Sequence, residues 1–188
     1  VLADAGGGAV AVAAETAGAG RLAALRGLGP VLAITAHRAE TLKARVYDGD
    51  IARILLPADA DCRWVQGIAD PAGDLMAPMK GPLRSEREGG ASLHRAAIRL
   101  AKQARLLPAA LVAPLADPQG FAAMHDLTLI PAAAVMDDRL SPLHHVVSAR
   151  VPLAVSEAGR LHIFRPEDGS DEHYAVEIGN PDRAAAPL

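Results

Sequence analysis

The 188-residue sequence predicts an α/β (α+β) fold followed by an incomplete antiparallel β segment. Three observations predict it. The run from Gly90 to Ala113 reads as a helix that passes directly into a buried strand. Short apolar runs upstream, at Val1–Ala5, Ala9–Ala14 and Val31–Thr35, alternate with alanine-rich helical text. Beyond about residue 145 the hydrophobic period switches to two, as in antiparallel strands.

The helix–strand unit carries the most information. Ser92 is expected as its N-cap, because a serine hydroxyl accepts from an unpaired N–H of the first turn. Leu93, Ala96, Ala97, Leu100 and Ala104 recur at helical spacing, while Arg95, Arg99, Lys102 and Gln103 take the other faces. Leu106-Leu107-Pro108 stops the helix, since proline lacks the N–H and disfavours a helical residue before it. Ala109–Ala113 is apolar throughout, as a strand covered on both faces would be.

Taken in order, Val1–Ala5 and Ala9–Ala14 flank Gly6-Gly7-Gly8, which suits a hairpin. A phosphate cradle needs a strand–loop–helix context, and here the text continues as strand, so the glycines read as a turn. Thr16–Leu28 is a helix ended by Gly27 and Gly29-Pro30, and Ala36–Lys43 a helical turn or two. Asp48–Ala69 reads as strand-rich, with IARILLP followed by RWVQGIA. Asp70–Gly90, with three prolines, four glycines and the run Arg84–Glu88, reads as a long exposed loop. A short helix is expected over Phe121–Leu127 and a short strand over Leu127–Ile130. A boundary is expected in Met136–His145, giving domains 1–145 and 146–188. Val147–Val155, Arg160–Arg165 and His173–Ile178 then form strands joined at Glu157–Gly159 and Pro166–Asp171, a sheet too small to stand alone.

Composition limits the function. The chain is 51% hydrophobic and 22% charged with a net charge of −3, so there is no electrostatic case for a nucleic-acid partner. No apolar run is long enough to span a membrane. Cys62 is the only cysteine, which excludes an internal disulfide and fits a cytoplasmic location. The chain starts and stops in apolar text, Val1-Leu2 and Pro187-Leu188, and is expected to be a piece of a longer polypeptide.

Candidate chemistry is sparse. The seven histidines, His37, His94, His125, His144, His145, His162 and His173, include no i,i+4 pair, and there is no CxxC, so no metal site is predicted. His144 and His145 would point to opposite faces of a strand. Asp59/Asp61 and Asp137/Asp138 read as loop charges, Trp64 as packing, and Cys62 has no visible base to activate it. His37 and Arg38, at the start of a short helix, are the predicted anion-binding residues. No catalytic residue is predicted.

Two stretches of text resemble known families. Val10–Glu15 (VAVAAE), Ile34–Leu42 (ITAHRAETL) and Ser92–Leu115 resemble, in the right order, three signature segments of 3,4-dihydroxy-2-butanone 4-phosphate synthase. That resemblance implies a mixed sheet packed with helices, and a family that forms dimers. The family's acidic run is replaced here by Ala5-Gly6-Gly7-Gly8-Ala9, and its His-Thr-Glu by Leu93-His94-Arg95. A leucine cannot shuttle a proton and an arginine cannot ligate a cation. The resemblance therefore implies the fold without the chemistry.

Ala149–Leu188 resembles the opening strands of GTP cyclohydrolase II, with Glu172-His173-Tyr174-Ala175-Val176 and Gly179 matching that family's Glu-His-Val-Ala-Leu…Gly strand. The joined order is similar to the N-terminal region of a bacterial GTP cyclohydrolase II of riboflavin biosynthesis. This implies a parent hydrolase with zinc in its downstream catalytic section, no cofactor in this segment, and a non-catalytic first domain. The implied partners are the downstream cyclohydrolase domain of the same chain and a second copy in a homodimer. Two alternatives remain open at this point. One is a module sensing a sugar phosphate or nucleotide through His37-Arg38. The other is an active synthase drawing acids from Asp4, Asp137 or Asp138 with His94 or His125.

Overall fold

The computed structural model describes residues 1–77, 80–137, 142–155, 157–167 and 171–182. The chain divides into two compact units, 1–137 and 138–188. Each is taken by itself.

The first unit is built on a six-stranded mixed sheet. Its strands are β1 (Leu2–Asp4), β2 (Gly7–Ala13), β3 (Val31–Thr35), β4 (Ile51–Leu55), β5 (Ala109–Leu115) and β6 (Ile130–Pro131), in the spatial order β4-β3-β5-β2-β1-β6. All neighbours are antiparallel except β1 and β6. The expected hairpin is present: β1 and β2 pair antiparallel across the glycines, with Asp4 opposite Gly7. Gly7 turns with φ +146°, a region that disfavours side chains, and a Cβ on Gly8 would lie 2.4 Å from the Pro118 ring.

Strand alternation sends residues to two cores, one on each face. Leu111 and Ala113 join Val10, Leu32, Ile34 and Ile54 under the helices α1 (Ala19–Arg26), α2 (Ala36–Thr41) and α3 (Cys62–Ala69). Ala110 and Val112 join Leu2, Ala9 and Ala33 under α4 (Ser92–Gln103) and α6 (Ala132–Val135). The remaining helix, α5 (Pro118–Met124), packs against β2. Ala96, Ala97 and Ala101 of α4 are almost fully buried, and their small side chains set the helix close on the sheet.

Helix α4 ends in a Schellman turn. Ala104 is the C-cap, Arg105 takes φ +58°, and the Leu106 and Arg105 N–H groups donate to the Ala101 and Lys102 carbonyls at 2.9 and 3.0 Å. β5 then begins only four residues beyond Arg105.

Several expectations need correction. RWVQGIA is helix, not strand: Asp61 caps α3 by accepting from the Trp64 N–H at 2.8 Å, and Val65, Ile68 and Ala69 face the core at helical spacing. Ser92 is not the N-cap of α4. That place falls to Ala91, and the Ser92 hydroxyl, already inside the first turn, donates to Asp4 Oδ2 instead. The fifth helix starts three residues earlier than expected, capped by Asp117, and the short strand shrinks to Ile130–Pro131. The Asp70–Gly90 loop holds a short 3₁₀ turn at Pro71–Gly73 and lies along β4 near its end. There the Leu55 N–H donates to Arg84 O and the Glu86 N–H to Arg53 O.

The second unit is a three-stranded antiparallel sheet of β7 (Leu143–Arg150), β8 (Arg160–Pro166) and β9 (His173–Glu177), in the order β7-β8-β9. β7 starts inside the stretch expected to end the first domain. A bulge between His145 and Val147 adds one residue to β7. The sheet has one apolar face: Val147, Ile163 and Tyr174 lie in register, as do Ala149, Leu161 and Val176. Val147, Tyr174 and Val176 are each about half exposed. Asp138, Pro78, the tip of the Pro166–Asp171 turn and the tail from 183 lie outside the described residues. Among the described residues, no helix is long and apolar enough to cross a membrane.

The core gives a direct test. Leu111, fully buried at the centre of the sheet, is expected to cost about 3 kcal/mol when replaced by alanine, read by urea unfolding.

Candidate functional site

The hairpin turn, the start of α4 and strand β4 enclose a cleft of about 420 Å³, lined among others by Asp4, Gly6–Gly8, Arg53, Glu86, Ser92 and His94. The glycines form one wall, and their lack of side chains leaves the space open. Asp4 is fixed at the turn by the Gly6 N–H at 2.8 Å and by the Ser92 hydroxyl. The Ser92 hydrogen bond, with that of Gly6, lowers its pKa.

Arg53 is the charged residue that the sequence reading passes over. It sits within the apolar run of β4 and is 3% exposed. Its guanidinium meets Asp48 through Nε at 2.8 Å and Nη2 at 3.2 Å. It also donates to two loop carbonyls, Glu88 O at 2.8 Å and Gly89 O at 3.3 Å. The buried charge is thus neutralised and largely hydrogen-bonded, as burial requires. An arginine inside a strand otherwise made of Ile, Ala and Leu is itself a signal that a partner is waiting nearby.

His94 lies on the first turn of α4 beside Arg53. Its Nδ1 is buried and has no hydrogen-bond partner among the described residues. Burial pushes the imidazole down to about 4, helped by the positive charges of Arg53 and Arg95 and opposed by Asp48. It is therefore neutral at pH 7. The cleft brings His94 together with Asp4 and Glu86, but not with Asp137, whose carbonyl accepts from Arg99. His125 packs on Phe121 in a tilted contact, ring centroids 4.4 Å apart, at the end of α5 and away from this lining. Among the described residues, no group of three His, Cys, Asp or Glu could hold a metal ion.

The predicted anion pair behaves differently in its two members. His37 is exposed. Arg38 is buried, and its guanidinium grips Asp74 as a fork, Nη1–Oδ2 2.5 Å and Nη2–Oδ1 2.9 Å. The remaining N–H groups donate to the Ile68, Gly67 and Asp70 carbonyls at 2.7, 3.1 and 3.1 Å. Lys80 also contacts Asp74 and donates to Gly67 O at 2.6 Å. An anion arriving at this helix start would have to displace Asp74. Arg38 is well placed to fasten the loop after α3 to the core, a role visible only once the loop is folded back.

With this geometry in view, sequence comparison adds a relative. No family profile matches the chain, and no solved structure matches it. Over 168 residues the chain is 39% identical to a GTP cyclohydrolase-2 of Azospirillum brasilense, a match that covers 86% of the chain. The chain is related to GTP cyclohydrolase II. It spans 44% of the length of that GTP cyclohydrolase II relative. The match is too long for the second unit alone to supply it, so it includes much of the first unit.

Two pH effects follow. The Arg38 guanidinium, and then Lys80, hold the Asp74 carboxyl well below the usual carboxylate range. The stability this lends is present above about pH 4 and is lost as pH falls further. Asp74→Asn is expected to flatten that acid limb in unfolding titrations. His94 works at higher pH. Its folded pKa lies below its unfolded one, so the unfolded state takes up the proton first and stability falls as pH drops from 6.5 to 4. With partial solvent screening the loss is about 1–2 kcal/mol. His94→Leu is expected to remove it, read by denaturant unfolding at pH 7.5 and 5.

Proposed function

We propose that these 188 residues are the N-terminal region of a bacterial GTP cyclohydrolase II of riboflavin biosynthesis. In this reading the first unit is a non-catalytic, dihydroxybutanone phosphate synthase-like domain, and the second is the opening sheet of the cyclohydrolase domain. The whole polypeptide opens the imidazole ring of GTP and releases formate and pyrophosphate in the cytoplasm. The observation that carries the reading is the GTP cyclohydrolase-2 relative, 39% identical over most of this chain.

The cleft supports the non-catalytic part. The wall where the synthase family has its acidic run is made of Gly6–Gly8. Two of the charged groups are committed: Asp4 to Ser92 and Gly6, Arg53 to Asp48. A neutral His94, an Asp4 tied into the turn and Glu86 alone make a poor site for a divalent ion and proton abstraction. Zinc chemistry does not fit the described residues either, since no group of three His, Cys, Asp or Glu comes together among them. In this reading zinc is held by residues beyond these 188.

The second unit supports the partner. Its apolar face carries Val147, Tyr174 and Val176 in the open, and an antiparallel sheet normally buries one face. The occupant in this reading is the remaining catalytic section of the same polypeptide, and the complete protein forms a homodimer. Purified alone, the 188-residue chain is expected to convert neither GTP nor ribulose 5-phosphate, while the longer polypeptide converts GTP. Turnover of either substrate by the isolated chain at enzymatic rates would refute the assignment. Val147→Lys together with Val176→Lys is expected to leave the isolated chain folded and to cost the longer polypeptide about 2 kcal/mol or more of stability.

One observation favours a second reading, a ligand-sensing first unit. The orphaned Nδ1 of His94 beside the cleft would be satisfied by a polar ligand. A true ligand at 100 times its dissociation constant raises stability by about 2.7 kcal/mol, so thermal shifts with GTP and with ribulose 5-phosphate decide between the two.

A further inference from the structure

The polar face of the second unit carries a continuous hydrogen-bonded chain across all three strands. Glu177 on β9 meets His162 on β8, Oε2 to Nε2, at 2.8 Å. His162 Nδ1 lies 2.7 Å from the Ser148 hydroxyl on β7. That hydroxyl lies 2.7 Å from His145 Nε2. The His162 and Glu177 side chains are only 15% and 20% exposed, and Phe164 packs against both imidazoles.

Register explains the assembly. Ser148 is directly opposite His162. Glu177 lies two pairs further along, opposite Arg160, and so shares the face of His162 by the two-residue period. His145 and Ser148 are three apart and would face opposite ways in a regular strand. The bulge between His145 and Val147 returns them to one side.

Donor and acceptor rules give this chain one self-consistent proton arrangement with neutral imidazoles. A carboxylate oxygen only accepts, so His162 Nε2 carries the hydrogen and Nδ1 is the acceptor. Ser148 must then donate its hydroxyl proton to Nδ1, and its oxygen accepts from the His145 Nε2–H. A serine donating to an imidazole that is oriented by a carboxylate is the arrangement of an activated nucleophile.

We propose that Ser148 is an acyl acceptor, activated by His162 with Glu177 as its orienting partner, for small activated carboxylic esters. Ser148 Oγ bonds to the ester carbonyl carbon as its proton passes to His162 Nδ1. Glu177 stabilises the imidazolium that forms. Collapse breaks the bond to the leaving oxygen, which departs as the alcohol with the proton from His162, and the acyl group stays on Ser148. Water attacks the acyl-serine by the reverse proton path, yielding the carboxylic acid and the free hydroxyl. The step needs no metal, oxidant or second substrate beyond water.

The test uses the 188-residue chain with p-nitrophenyl acetate, following nitrophenol release and mapping the acetylated peptide by mass spectrometry. The expected result is acetyl on Ser148. Ser148→Ala and His162→Gln are expected to slow acylation about 100-fold. Glu177→Gln is expected to slow it by about tenfold or more. Ser148→Cys retains a labelled side chain at that position. Circular dichroism of each variant establishes that the sheet is intact. Acetyl on lysines or the amino terminus alone, labelling of Ser148 that survives His162→Gln in a folded chain, or no labelling would overturn the proposal.

Discussion

Strand β5 is the constraint on which the first unit depends. It is antiparallel to β2 on one side and β3 on the other, and Ala110 to Ala113 are almost wholly buried. A strand with helices on both faces must be apolar at every position, because neither face meets water. Its alanines are as necessary as its leucine and valine. They admit α4 at short range, and the α4–β5 connection is kept tight by the left-handed turn at Arg105. The hairpin and β4 are positioned by this frame, and with them the cleft between them.

That dependence explains what the sequence can and cannot disclose. β3 is legible to the residue, since VLAIT is a short apolar run bounded by Pro30 and a helix start. The hairpin and the α4–β5 unit are legible for the same reason, that local pattern and tertiary burial agree. RWVQGIA misleads because Trp64, Val65 and Ile68 favour strands on composition. The Asp61 cap and the i,i+3,i+4 spacing of Val65, Ile68 and Ala69 carry the better signal. Arg53–Asp48 and Arg38–Asp74 are not legible as pairs. Nothing local to an arginine states which acceptor it will meet when a loop folds over it.

The two units also differ in how their polar groups are used. In the first, buried guanidiniums are consumed by carboxylates and loop carbonyls, and the cleft persists as a space whose edges are fixed. In the second, histidine, serine and glutamate are linked to one another along a sheet face that remains partly open. Ser148, His162 and Glu177 all fall in stretches that read as strands, but the strand period does not give the cross-strand register that aligns them. Nor does it give the bulge that brings His145 to the same side, because one extra residue reverses the parity of everything on its far side.

Both margins of the six-stranded sheet are closed by very short pieces of chain. On one side β6 contributes two residues alongside β1, and on the other residues 84–86 bond to Arg53 and Leu55 of β4. Unpaired margins are templates for strand addition between molecules, and here neither long margin is left bare. A sheet sealed in this way offers other copies of the chain little edge to extend, even where many copies crowd together.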